Sequence, residues 1–279
     1  MATRTKRFPI SAQEQQSLLN ACSSGDTGAL RRFFAEHGVQ QGGNPLPVPV
    51  QDINTDSSAK PPNTSLSADT LLEQAVAARQ LAVVELILQT HPKPSLAQSH
   101  GIVRAVLENP DPKILQVLCG HDRDFASFSV DYGMRTLLTD ACALPPAQAV
   151  LVLHVLLDND GDVNDGWGPG GGALYAAIIG RQPVEIVGRI LYKTSAVSNR
   201  NAIAAIRRGD VDVVRALFSR ESVRWKFGVD ECVEEAKKTG EEEIVAVVET
   251  WAREKAENEA RGRDGRPGGK RRNIWNFWH

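Results

Sequence analysis

Aromatic residues make up only 6% of this chain, cysteines number four, and no stretch of 18 apolar residues occurs in its 279 positions. Each shortage closes a class of reading. A membrane-spanning helix needs about 20 predominantly apolar residues, so no span is expected. Cys22, Cys119, Cys142 and Cys232 lie far apart, without the close spacing of a disulfide framework or a zinc site. Cys22, Cys119 and Cys142 fall within helix patterns where a small apolar residue is wanted. They read as reduced core thiols in a cytoplasmic or nuclear protein. A large charge of one sign is also missing, and a formal net charge of -2 does not suit a surface built throughout for nucleic acid. Strand-like alternation is scarce. Met1 to Phe8 carries Arg4, Lys6 and Arg7, but no apolar run of signal-peptide length follows, so secretion is not expected.

What the chain does have is a recurring pair of aliphatic doublets. They are Ala29-Leu30 with Phe33-Phe34, Val83-Val84 with Ile87-Leu88, Ile114-Leu115 with Leu118-Cys119, and Leu151-Val152 with Val155-Leu156. Ile186-Val187 with Ile190-Leu191, Val213-Val214 with Leu217-Phe218, and Ile244-Val245 with Val248 complete the set. Residues at i and i+3 or i+4 share one helix face, and that face must be covered by a neighbour. With Leu30, Val84, Leu115, Val152, Val187, Val214 and Val245 as anchors, the steps are 54, 31, 37, 35, 27 and 31 residues. A period of about 33 with one interruption is the signature of a helical solenoid. Ahead of most doublets, which lie on the second helix of each unit, stands a first helix with small residues for close packing: Leu18 with Ala21 and Cys22, Leu72 with Ala75, Leu138 with Ala141, Leu174 with Ala177, Ala202 with Ala205, and Val233 with Ala236. Turn signals separate the two helices at Ser24-Gly25-Asp26, Asn109-Pro110-Asp111-Pro112, Leu144-Pro145-Pro146, Arg208-Gly209-Asp210 and Thr239-Gly240.

These residues resemble the ankyrin-repeat family. The segment from Val152 to Asn164, ending Asp160-Gly161-Asp162-Val163-Asn164, is similar to the family's second helix and following turn. Gly172-Ala173-Leu174-Tyr175-Ala176-Ala177 resembles its helix-opening Thr-Pro-Leu-His-x-Ala pattern. The likeness spans about residues 14 to 252. Most units are degenerate: Gly, Ala or Ser replaces the usual Thr, and none has the complete Thr-Pro-Leu-His. The resemblance implies recognition of a partner by the fingers between repeats and the exposed faces of the first helices.

Two segments depart from the pattern. Residues 40–69 are rich in Pro, Ser, Asn, Thr and Gly and read as a disordered insertion, which accounts for the 54-residue step. After Glu259 comes a tail in which Arg261, Arg263, Arg266, Lys270, Arg271 and Arg272 are offset only by Asp264. Its glycines and Pro267 oppose a helix, and Ile274, Trp275, Phe277 and Trp278 follow. Lys270, Arg271, Arg272, Trp275 and Trp278 are candidate contacts to a partner, an import receptor or nucleic acid. The alternative is that the aromatics cap the last repeat.

The richest finger runs from Asn164 to Gly172 and presents Trp167 beside Asp165 on a nearly side-chain-free loop, as an aromatic anchor would be presented. The preceding finger offers Arg123, Asp124, Phe125, Asp131 and Tyr132, and a later one Arg224, Trp225, Lys226 and Phe227; core packing is the reading preferred for Trp225 and Phe227. Catalytic patterns fail one by one. Gly166 to Gly171 follows no strand and is closed by no Lys, and Gly269-Lys270 lacks the first glycine and the Ser or Thr of a P-loop. The six histidines show no metal-ligand spacing, and His154 is expected to face solvent or make a hydrogen bond. Glu234-Glu235 and Glu241-Glu242-Glu243 read as helix starts and solvated faces.

The expectation is an all-α fold, an ankyrin-type solenoid of about seven helix pairs. It has a flexible stretch at 1–13, a first repeat at 14–39, the insertion at 40–69, repeats two to seven at 70–252, and a helix extension with the basic, aromatic tail at 253–279. The expected role is a non-enzymatic scaffold that binds a protein partner as a monomer, without cofactor or metal. The alternatives are an accessory protein of an enzyme or pathway, and a nuclear or nucleic-acid-associated protein acting through its tail.

Overall fold

The computed structural model describes residues 10–39, 66–91, 96, 99–129, 135–165, 172–219, 224–225 and 228–264. The chain divides into two compact units, Met1–Lys193 and Thr194–His279. The first holds α1 (Ala12–Ser24), α2 (Thr27–Glu36), α3 (Ala68–Ala77), α4 (Leu81–Thr90), α5 (His100–Glu108), α6 (Pro112–His121), α7 (Leu137–Cys142), α8 (Pro146–Asp158), α9 (Ala173–Ile179) and α10 (Val184–Lys193). A 3-10 turn at Arg123–Ser127 follows α6. The second unit holds α11 (Asn199–Arg208), α12 (Val211–Phe218), α13 (Val229–Thr239) and α14 (Glu242–Asp264). Its two short strands, β1 (Ala196–Val197) and β2 (Arg224–Trp225), pair in parallel. Among the described residues the fold is thus almost wholly helical, and none of its helices is long and apolar enough to cross a membrane.

Local chemistry sets where the helices begin and end. Ser11, Ser67, Ser99, Thr136 and Ser198 cap α1, α3, α5, α7 and α11 by accepting a backbone N–H from the first turn. Thr136 therefore holds a helix-opening position for which the sequence pattern pointed only to Gly, Ala or Ser. Asp26, Asp111 and Asp210 cap α2, α6 and α12 in the same way. Gly25, Gly209 and Gly240 close α1, α11 and α13 with φ of 80°, 73° and 74°, a left-handed conformation that glycine adopts without a Cβ penalty.

Within the first unit the odd-numbered helices pack on one another in series, α1 on α3, α3 on α5, α5 on α7 and α7 on α9. The even-numbered helices do the same from α2 to α10. The second unit repeats the rule, with α11 on α13 and α12 on α14. Aliphatic doublets fill the space between: Val83, Val84, Ile87, Leu115, Leu118, Ile186, Val187 and Ile190 are all buried. In place of the small residues found in its counterparts, α5 offers Ile102, Val103 and Val106 with a single Ala105, so the small-residue pattern of the other first helices does not reveal it.

The structure corrects several boundaries and faces. Ala68 and Asp69 belong to α3, so the insertion ends before them; 40–65 lies outside the described residues. In α8 the buried doublets are Val152-Leu153 and Leu156-Leu157, while Leu151 is 60% exposed. That helix is apolar on nearly every side, and its neighbours select the face. Val233 is only half-buried, and Cys232 takes the core position beside Ala236. Helix α14 continues to Asp264 and so includes Arg261 and Arg263, which the sequence placed in a non-helical tail. Glu235 lies well inside α13 rather than at its start.

Gly188 sits in the middle of α10, and a Cβ there would meet nothing within 4 Å. Gly188→Ala is expected to raise the unfolding free energy by about 0.5–1 kcal/mol, because alanine loses less backbone entropy than glycine on entering a helix. Urea denaturation checks this, and a loss of stability would contradict the open space beside α10.

Candidate functional site

The ends of three successive helix pairs in the first unit are strapped together by polar contacts. After α6, the Asp122 carboxylate accepts the Asp124 N–H at 3.0 Å and opens the 3-10 turn. After α8, Gly161 donates its N–H to the Leu156 carbonyl at 2.8 Å. A Cβ on Gly161 would lie 2.9 Å from that oxygen and 3.2 Å from the Ala126 carbonyl, so the two turns meet backbone to backbone. Ser127 Oγ accepts the Asp162 N–H at 3.0 Å, and the Asp162 carboxylate accepts the Asn164 N–H at 2.8 Å. Asn164 Nδ2 then donates to the Lys193 carbonyl at 3.0 Å. Lys193 Nζ reaches back to the Leu157 carbonyl at 2.9 Å and to Asp160 at 3.1 Å.

Beside these straps, α8 and α10 share a polar stripe. Arg189 contacts His154 Nδ1 at 2.6 Å and Asp158 at 2.5 Å, and Glu185 lies 3.9 Å from His154 Nε2. A guanidinium can only donate, so Nδ1 accepts and the ring proton sits on Nε2, facing Glu185. His154 therefore makes the hydrogen bond expected of it.

The candidate contact residues fall into three groups. Arg123 is exposed on the 3-10 turn, and Asp165 is half-buried at the foot of the glycine-rich finger. Those two are brought to neighbouring turns of the same unit. Phe125 is 0% exposed, its ring centroid 6.3 Å from that of Phe128, in a turn packed on α6, α7 and α8. It is core, because the turn folds its ring inward, and it cannot meet a partner. Trp225 belongs to the second unit, where its backbone pairs with Val197. Tyr132, Trp167, Lys270, Arg271, Arg272, Trp275 and Trp278 lie outside the described residues. The strap residues Ser127, Asp162 and Lys193 were not singled out by sequence, although the Asp-Gly-Asp-Val-Asn segment pointed to the right place.

The titratable groups shift for structural reasons. Burial pushes the Cys22, Cys119, Cys142 and Cys232 thiols up to about 12, which leaves them protonated and poorly nucleophilic. Burial also raises Asp69 and lowers His91, each shift opposed by the charge of the other. Glu235 is held low by its hydrogen bond from Arg207 at 2.6 Å. Desolvation works to raise Asp210, but hydrogen bonds from the Val213 N–H and from Arg208 outweigh it and hold the carboxyl low. Among the described residues, no group of three His, Cys, Asp or Glu is placed to hold a metal ion.

No protein-family model matches this sequence, and no curated protein matches it.

Proposed function

We propose that the chain is an ankyrin-type repeat protein of about seven helix pairs, acting as a non-enzymatic scaffold. It would hold a protein partner on the turn face of the first unit, at and around Arg123, Asp165 and Trp167. The observation that carries this reading is the strapped series of turns at Asp122–Ser127, Asp160–Asn164 and Lys193. Turn residues tied to one another and to rigid helices, as Ser127, Asp162, Asn164 and Lys193 are, have little conformational entropy left to lose, which is the condition for a preorganised binding surface. The serial packing of odd on odd and even on even helices supports the repeat architecture, because such pairs can only bury their faces on the next pair. Buried, protonated thiols and ion pairs spent on packing favour recognition over catalysis.

The test is affinity capture from an extract of the source cells, using the immobilised full chain beside Trp167→Ala and Arg123→Glu/Asp165→Lys. A protein retained by the wild type and depleted about ten-fold or more by both variants is expected, a loss of about 1.4 kcal/mol in binding, with melting temperatures unchanged. Identical retention by all three would remove the fingers from the site. A nucleotide that raises the melting temperature of the purified chain would instead favour a small-ligand role, since a bound ligand stabilises the fold by mass action.

A further inference from the structure

The last helix pair leaves an open groove. Between α13 and α14 lies a cleft of about 590 Å³ whose apolar floor is Val229, Val233, Ala252 and Ala256. Val229 and Val233 border the face of α13 that carries its core residues Cys232 and Ala236, and both are only half-buried. Asp230, Glu234, Arg253 and Lys255 complete the lining. Lys255 lies over the Trp251 ring at 5.2 Å, whereas Asp230 and Glu234 have no ion pair among the described residues.

The charge distribution supplies a second, independent observation. Residues 229–260 contain eleven acidic and four basic residues, whereas 261–279 contain six basic and one acidic. Four of the six residues from Ile274 to His279 are large and apolar: Ile274, Trp275, Phe277 and Trp278. We propose that this groove is the seat of the chain's own segment 265–279. The aromatics cover the valine and alanine floor, and Arg266 with Lys270 to Arg272 answers Asp230, Glu234 and the acidic surface around them.

Reach and tethering favour this occupant. Asp264 ends α14 eight residues beyond Ala256, roughly 12 Å along the helix axis. The ten residues from Gly265 to Ile274 can span up to about 33 Å, enough to turn back along α14. A short covalent tether also holds the segment at an effective concentration on the order of millimolar, which a free partner must exceed. Such a cap covers apolar surface that the last pair otherwise leaves to solvent.

Hydrogen exchange read by mass spectrometry on the purified full chain tests the proposal, with analytical ultracentrifugation on the same samples. Three proteins are compared: wild type, Trp275→Ala/Trp278→Ala, and Val233→Glu at a half-exposed position. Peptides covering 229–234 and 252–256 are expected to exchange about ten-fold faster in both variants, while 196–218 is unchanged and all three sediment as monomers. Equal exchange at the groove in wild type and the tail variant overturns the proposal, even if Val233→Glu proves unstable. A dimer that either variant dissociates also overturns it, by assigning the groove to the tail of a second copy.

Discussion

Phe125→Ala is expected to lower the unfolding free energy by about 3–5 kcal/mol, the cost of removing a buried aromatic ring from a packed core. The ring is wholly enclosed beside Phe128, whose own ring meets His100 edge-on at 5.7 Å, in a turn that touches α6, α7 and α8. Few atoms near it can relax into the space, since the turn is tied to the next pair through Ser127 and Ala126. Urea denaturation and thermal melting measure the loss. The opposite outcome is informative too: a variant that melts like the wild type would mean that the ring packs against nothing essential, and would return Phe125 to the contact surface. Because the straps depend on this turn, partner binding should fall along with stability, unlike the expected behaviour of Trp167→Ala.

A second large effect is expected at Gly180, whose φ of -72° is open to any residue. Its constraint is distance: a Cβ there would lie 2.1 Å from the Cys142 carbonyl oxygen and 2.9 Å from that of Ala176. Both are backbone atoms, and neither can swing aside. Gly180→Ala must push the end of α9 away from the end of α7, an overpacking cost of about 3 kcal/mol. The displacement would also draw Gln182 off its seat. Its Nε2 donates to the Cys142 carbonyl at 2.9 Å and the Leu144 carbonyl at 2.8 Å, both in the preceding turn. Gln80 ties α3 to α1 in the same manner, donating to the Ser23 carbonyl at 3.2 Å. In both places the glutamine follows an arginine in the left-handed region, Arg79 at 57° and Arg181 at 54°. A melting temperature within error of wild type for Gly180→Ala would show that α7 and α9 do not approach so closely.

Gly188→Ala and Gly180→Ala make a matched pair, the same substitution with opposite expected signs. The sequence sets Gly180 at a helix end, ahead of Arg181-Gln182-Pro183, and Gly188 inside an aliphatic run, but it does not show what lies beside either. What separates them is the neighbour: empty space beside α10, a carbonyl beside the end of α9.

The sequence by itself determined most of the helices and their pairing, though not α5, the start of α3 or the end of α14. Those signals are written in short windows: Ser or Thr before α1, α3, α5, α7 and α11, Asp before α2, α6 and α12, glycine at left-handed stops, and aliphatics at helical spacing. A chain read along its length also shows where charge changes sign, at about residue 261. Tertiary structure alone decided which face of α8 is buried, because a helix apolar on nearly every side carries no periodicity to choose between Leu151 and Leu153. It also turned Phe125 from a presented aromatic into a core ring, since a loop residue's direction depends on the elements its turn lands upon. It set Gly180 against Cys142 and joined the turns of successive pairs through side chains about 30 to 40 residues apart, contacts that no local window contains.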